Sequence, residues 1–598
     1  MVLHFLSLLL RGLIALLAIL TLVACHPVGS DTISNRPDIS EAEGIIYVAR
    51  DIVTMNPDQP NAQSVAVKNG IIVKVGGNEN LLSDTSLGNF AVDTRFQNHV
   101  LVPGFIEQHV HPLLAALAMG SDAIISIEDW DTPNGFSRLA DSQDTFRERL
   151  SKAIADFDES QNRPMLVWGY HGMFHGYMSR SLLDDMAAEV PVVVWQRSTH
   201  EAFLNTAAMD LMGISQAYID NWPSELARSQ VSLDEGRFTE AGFWELLFFE
   251  KLAVYFANPQ KFSDGLLWTG NFFHRNGITT LAEPAGPIEK ELQSSVAAAY
   301  GPDATPFNFY FIPDGRTLAN MYFDEGSEKL IEETERFLER SEGRTQFLPQ
   351  QVKLFLDGAI YAQLMVMRDG YLDGHHGEWL MTPDVFEEVF LTYWRADYQI
   401  HIHYNGDGGL DKILDTLTKA QAEYSREDHR TVLVHFGYAQ SDQIMRAADL
   451  GMVVSANPAY TTTLADKYSE EGIGRKRTER MVPLAEAVRS GISVSLHSDM
   501  PMAPAAPLQL MSAAVNRETP SGWVPGPNQR LTPEQALRAV TLDAAFSIRL
   551  ENEIGSLEVG KKANFTVLAE DPLTIEPAML GEIDVWGTVL EGRLQPVE

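Results

Sequence analysis

The chain has 598 residues, of which 45% are hydrophobic and 21% charged, a balance that excludes a disordered polymer and describes a globular body. Asp and Glu number 81 against 45 Lys and Arg, and the formal charge of −36 excludes nucleic acid and anionic membrane surfaces as partners. The single cysteine, Cys25, excludes an internal disulfide framework.

In chain order, residues 5–24 are almost wholly apolar, Arg11 being their only charged residue, and they end on Leu22-Val23-Ala24-Cys25. The pattern resembles a bacterial lipoprotein signal, cleaved before a cysteine that is then lipidated. An uncleaved anchor is the alternative, since about 20 apolar residues can span a bilayer. The expectation is a signal over 1–24, a polar tether over 25–43, and an exported lipoprotein, periplasmic or at the cell surface. Membrane contact would then run only through the lipid on Cys25.

Residues 44–98 read as short β-segments, among them Gly44–Val48, Ser64–Val67 and Gly70–Gly76, separated by turn residues. Residues 555–598 have the same character, with strands at Ala563–Leu568 and Val585–Leu590. Neither end holds enough strands to stand alone, so the two are expected to pair into one small β-sandwich.

Between them, eight short apolar strands are each followed by helical pattern: Val100–Ile106, Ile278–Ala282, Phe307–Ile312, Val352–Leu356, Gln399–His403, Val432–His435, Met452–Ser455 and Ile492–Leu496. The alternation predicts an α/β protein, a (β/α)8 TIM barrel over 99–554. A long insertion, about 113–275, separates the first two strands and carries a strand-like Pro191–Trp195.

A barrel enzyme keeps its chemistry at the C-terminal strand ends. The first strand runs into Pro103-Gly104-Phe105-Ile106-Glu107-Gln108-His109-Val110-His111. Residues two apart on a strand share a face, roughly 6–7 Å apart, so His109 and His111 can converge on one cation. The fourth strand holds Lys353, costly to bury as a cation. The fifth holds His401 and His403, of which His403 lies nearer the C-terminal end. The sixth ends in His435, and the eighth is followed by His497-Ser498-Asp499.

That order of ligand-type residues resembles the amidohydrolase superfamily, and more narrowly its branch containing N-substituted formamide deformylases. The insertion adds Arg180-Ser181-Leu182-Leu183-Asp184 and His200-Glu201-Ala202-Phe203-Leu204-Asn205-Thr206-Ala207. Gly406-Asp407, Ser498-Asp499-Met500-Pro501, Leu531–Leu537 and Gly555–Asn564 complete the likeness. Departures are Glu107 and Asn564, where the family usually has Asp, and Gln363, where Thr is common.

The resemblance implies that His109, His111, His403 and His435 are metal ligands, with Lys353 joining as a carbamate between two ions or remaining an amine beside one. It implies Asp499 as both ligand and general base, and His200 as a residue that orients substrate or stabilises the oxyanion. His171 and His175 are candidates for lining the pocket, and His497 for packing. Imidazole and carboxylate ligands suit zinc, with manganese, iron or nickel as alternatives. The expected reaction is hydrolysis of a non-peptide C–N bond in a small molecule: an N-formyl or N-acyl amide, or a cyclic amide. Ester, lactone or phosphotriester cleavage, or an inactive lipid-anchored binding protein, are the rivals. A homodimer is left open.

Overall fold

The computed structural model describes residues 42–256, 259–287 and 289–597. The signal, Cys25 and nearly all of the tether lie outside them.

Strands from both ends of the chain join one seven-stranded sheet, ordered Arg593–Pro596, Val585–Leu590, Phe565–Leu568, Phe90–Pro103, Gly44–Val53, Asn61–Lys68, Ile71–Gly76. The termini therefore pair, but as a single hydrogen-bonded sheet where a two-layered sandwich was expected. The sheet curls until its far edge meets the segment before Phe565: Ile72 N–H donates to Lys561 O at 2.9 Å, and Ala563 N–H to Gly70 O at 2.8 Å. Tyr47, Phe96 and Phe565 pack inside the curl, with ring centroids 5.6 and 6.1 Å from Tyr47. Strand alternation supplies this face, since every second residue points inward.

The predicted strand Val100–Ile106 is divided. Val100–Val102 belongs to the terminal sheet, pairing with Leu568–Thr566. Pro103-Gly104 ends that strand, and Phe105–Glu107 (β1) begins a separate one. Gly104 is required by proximity, because a Cβ there would lie 2.2 Å from Thr279 Oγ1.

The remaining predicted strands are Ile278–Gly286 (β2), Asn308–Pro313 (β3), Gln351–Phe355 (β4), Gln399–Tyr404 (β5), Val432–His435 (β6), Val453–Ala456 (β7) and Val494–Leu496 (β8). They lie in two parallel arcs. One runs β1, β2, β3 and then Thr345–Phe347, a short strand that the sequence reading did not anticipate; the other runs β4 to β8 in order. A parallel bridge between Asp314 and Lys353 joins the arcs on one side. On the other, Gln108 Nε2 donates to Leu496 O at 3.0 Å and Asp499 N–H to His109 O at 3.2 Å. β5, β6 and β7 are buried along their whole length. Burial on both faces explains why they read as near-continuous apolar runs.

Between β1 and β2 stands a six-stranded sheet ordered Val231–Ser232, Arg237–Thr239, Glu201–Leu204, Val192–Gln196, Met165–Tyr170, Ala123–Ile124. Trp168 and Trp195 are fully buried in it. The helical segment Gly242–Leu252 follows, wound as a π-helix, and carries Trp244 and Glu245 toward the ends of β3 and β5.

Gly104→Ala should force β1 and β2 apart, and is expected to lower stability by about 1–3 kcal/mol. Chemical denaturation reads this directly; an unchanged midpoint would contradict the close approach.

Candidate metal centre

β1 delivers His109 and His111 side by side, their rings 5.1 Å apart. The segment after β8 is clipped to them: Asp499 N–H reaches His109 O, and His111 N–H donates to Met500 O at 3.0 Å. Asp499 Oδ1 then lies 3.2 Å from His109 Nε2 and 3.3 Å from His111 Nε2, while Oδ2 lies 3.5 Å from His435 Nδ1. His435 Nε2 meets His403 Nδ1 at 2.8 Å. The five residues His109, His111, His403, His435 and Asp499 are thus brought together from four strand ends, and all are buried or nearly so.

Two of them hold strained backbone. His435 has φ 76° and Asp499 φ 61°. Non-glycine residues in this region cost about 1–3 kcal/mol each and persist where the surroundings impose them, commonly at functional sites.

Burial, with the fields of Lys353 and neighbouring rings, pushes His109, His403 and His435 well below the ordinary imidazole range. The neutral imidazole, the form that ligates a metal, is therefore favoured in all three. His111 behaves oppositely: burial opposes its charge, but Asp499 and Glu283 outweigh burial and raise it to about 9. A positive charge is favoured where His111 faces these two carboxylates. Asp499 Oδ1 is buried and accepts no well-aligned hydrogen bond despite its close nitrogen neighbours. Donor atoms of His109, His111 and Asp499, and of His435, His497 and Asp499, lie within 4.8 Å of one another. Neutral imidazoles converging on an unsatisfied carboxylate oxygen fit a divalent cation such as zinc.

Lys353 is fully buried, and its Nζ has no hydrogen-bond partner. Burial lowers it to about 7, with Asp499 and Asp314 opposing. Its ammonium position is 5.2 Å from the Phe355 ring centroid, and Phe355 in turn lies 5.6 Å from His403. His401 stays outside the cluster, its Nε2 3.0 Å from Gln351 Oε1. His175 is a packing residue, bonded to Ala140 O at 2.7 Å and stacked on Phe146. His171 is buried beside Tyr361, 5.9 Å between centroids.

His200 enters from the insertion and stacks 5.3 Å from His403. Its Nδ1 is 2.6 Å from Glu240 Oε2, and Glu240 Oε1 accepts from Ala359 N–H at 2.9 Å.

Sequence reasoning missed four residues here. Glu240 holds the His200 ring, but its partner is 40 positions away and nothing local marks it. Glu283 faces His111 at 3.7 Å; a buried acid at the end of apolar β2 was the available signal. His497, expected to pack, places Nε2 3.2 Å from His435 Nδ1 while Ser455 Oγ contacts its Nδ1 at 2.7 Å. Glu107 accepts from both Ser498 N–H and Oγ–H at 3.1 Å, fixing the turn that presents Asp499.

A family model described as the amidohydrolase family matches residues 97–595. The chain belongs to the amidohydrolase family. N-substituted formamide deformylase of Arthrobacter pascens is 25% identical over 562 residues, covering 93% of this chain and 99% of that protein. Protein LONG AFTER FAR-RED 3 of Arabidopsis thaliana is 23% identical, covering 87% and 86% respectively. Among solved structures, an uncharacterized metal-dependent hydrolase from Pyrococcus horikoshii OT3 superposes with TM-score 0.64 at 17% identity, covering 89% of this chain and 99% of that one. The protein is accordingly a hydrolase of this family, with a centre built to bind metal.

Glu240→Gln should loosen the charged hydrogen bond that holds His200. Turnover is expected to fall roughly 10-fold or more while bound metal is retained. Wild-type turnover in this variant would show that the Glu240 contact does not hold a functional ring.

Proposed function

We propose that the protein hydrolyses a non-peptide C–N bond, in an N-formyl or N-acyl amide or a cyclic amide, on a (β/α)8 barrel formed by the two parallel arcs. The observation that carries this reading is the Asp499 carboxylate lying against His109, His111 and His435 at 3.2–3.5 Å. His109, His111, His403 and His435 would hold one or two divalent ions, zinc by donor chemistry. Such an ion, when bound, polarises a carbonyl and makes water acidic enough to attack at neutral pH.

The remaining chemistry falls to the chain. Asp499 accepts a proton from the attacking water and returns it to the departing amine nitrogen, the two halves of general acid–base catalysis. His200, held by Glu240, hydrogen-bonds the substrate carbonyl oxygen and meets the negative charge that grows there. Lys353 with a pKa near 7 populates its neutral amine. The neutral amine is the form that adds CO2 with release of a proton, and the resulting carbamate would replace an unpaired buried cation with an anionic ligand. Near-complete burial of the group keeps competing water out.

The likeness to the N-substituted formamide deformylase of Arthrobacter pascens supports the C–N assignment. The test is a panel of N-formyl amides, cyclic amides and esters with the metal-loaded protein. Asp499→Asn should retain most of its metal but lose turnover by roughly 10²–10⁴. A metal-loaded wild type inert on the amides but active on esters would replace this reading with the esterase one. Inertness on the whole panel would favour a binding protein.

The apolar run ending at Cys25 supports export as a lipoprotein. Mass spectrometry of the mature protein is expected to show an acylated Cys25 as the first residue; an intact Met1 would refute it.

A further inference from the structure

Three guanidiniums are buried among the described residues: Arg197, Arg316 and Arg517. Two each have several close partners. Arg197 donates to Met502 O at 2.8 Å and Ser126 Oγ at 2.9 Å, and pairs with Glu128 at 2.6 Å. Arg517 donates to the carbonyls of Pro525, Val482 and Met481 at 2.8–2.9 Å. Arg316 is different. It is 4% exposed, yet its Nε and Nη1 have no hydrogen-bond partner. Its ion pair is long, 3.9 Å from Nε to Glu245 Oε1, and that oxygen already accepts from Asn320 Nδ2 at 2.8 Å.

Arg316 sits close to the proposed active site, with Phe355 between it and His403. It is the second residue of the helix Gly315–Tyr322, directly after β3, and Asp314 caps that helix by accepting from its backbone N–H at 3.0 Å. Its guanidinium lies 4.6 Å from the centroid of Phe355, which is the ring packed against His403. Trp244, next to Glu245, is 6.0 Å from His200. The unsatisfied donors are therefore one aromatic ring away from the metal-ligand cluster.

A buried cation with unused N–H groups is costly unless a ligand completes it. A planar fork of donors over an aromatic face is the geometry that takes a carboxylate bidentately. The body's charge of −36 repels anions at long range, so a carboxylate substrate needs a local cation of this kind. We propose that Arg316, stacked on Phe355 beside His403, binds a carboxylate of the substrate, so that the cleaved C–N compound is an acid. The inference rests on the hydrolase reading above and narrows its substrate class.

The test compares hydrolysis of N-formyl-phenylalanine and its carboxamide by the metal-loaded protein. Calorimetric binding of 3-phenylpropionate and 3-phenylpropanol provides a readout that needs no turnover. The wild type should prefer the carboxylate by roughly 10–100-fold, mostly through KM and binding constant. In Arg316→Met that ratio should collapse toward one. Arg316→Lys, which keeps the charge without the fork and guards against a folding failure, should fall between.

A wild type without preference, or a preference that survives in Arg316→Met because the carboxylate binds elsewhere, overturns the proposal. Hydrolysis of both compounds without discrimination would remove Arg316 and leave the hydrolase reading standing. Selective binding through Arg316 with neither compound hydrolysed would do the reverse.

Discussion

The centre depends on one buried carboxylate being forced among imidazoles. Asp499 comes from the segment after β8 and its partners from β1 and β6. Nothing in its own segment would hold it there. Glu107 holds the preceding Ser498, while Asp499 N–H donating to the His109 carbonyl and His111 N–H donating to the Met500 carbonyl tie the turn to the segment after β1. The left-handed backbone at Asp499 and at His435 records the strain of this convergence. A carboxylate in so dry a place is stable only beside positive charge, and the raised His111 shows the same demand. On electrostatic grounds alone, the arrangement fits a bound cation.

Around that point the molecule divides its labour. The parallel strands fix where donor atoms stand. The inserted sheet supplies His200 and, through Glu240, its orientation. The helical segment Gly242–Leu252 brings Trp244 and Glu245 over the ends of β3 and β5, next to Arg316. The strands fix the donor geometry, and the insertion and the segment after β3 supply the side chains packed around it.

Much of this was legible in the sequence. The eight parallel strands show as apolar runs because both faces are buried, and the clustered histidines stand at their ends, where packing no longer dictates residue type. One strand was read too long, since Val100–Val102 and Phe105-Ile106 are apolar on either side of Pro103-Gly104 and pattern alone does not reveal that they serve different sheets. Thr345–Phe347 was invisible because three residues, one of them exposed Gln346, make no periodic signal. Glu240, Glu283 and Arg316 were missed for a common reason. Acids and arginines are ordinary surface residues in a chain this charged, and only tertiary burial distinguishes these three. His497 was read as packing because its relation to His435 spans 62 positions.

Thr566 links the tail of the chain to the first ligands. Its hydroxyl donates to Gly277 O at 2.6 Å and accepts from Phe105 N–H at 3.0 Å, stapling a C-terminal strand to β1 and to the residue before β2. A ribosome or translocon delivers His109 hundreds of residues before Thr566 exists. The first two imidazoles must therefore wait, unseated, until almost the entire polypeptide has emerged. Assembly of this His/Asp cluster is therefore a late event in folding, set by the arrival of the last strands.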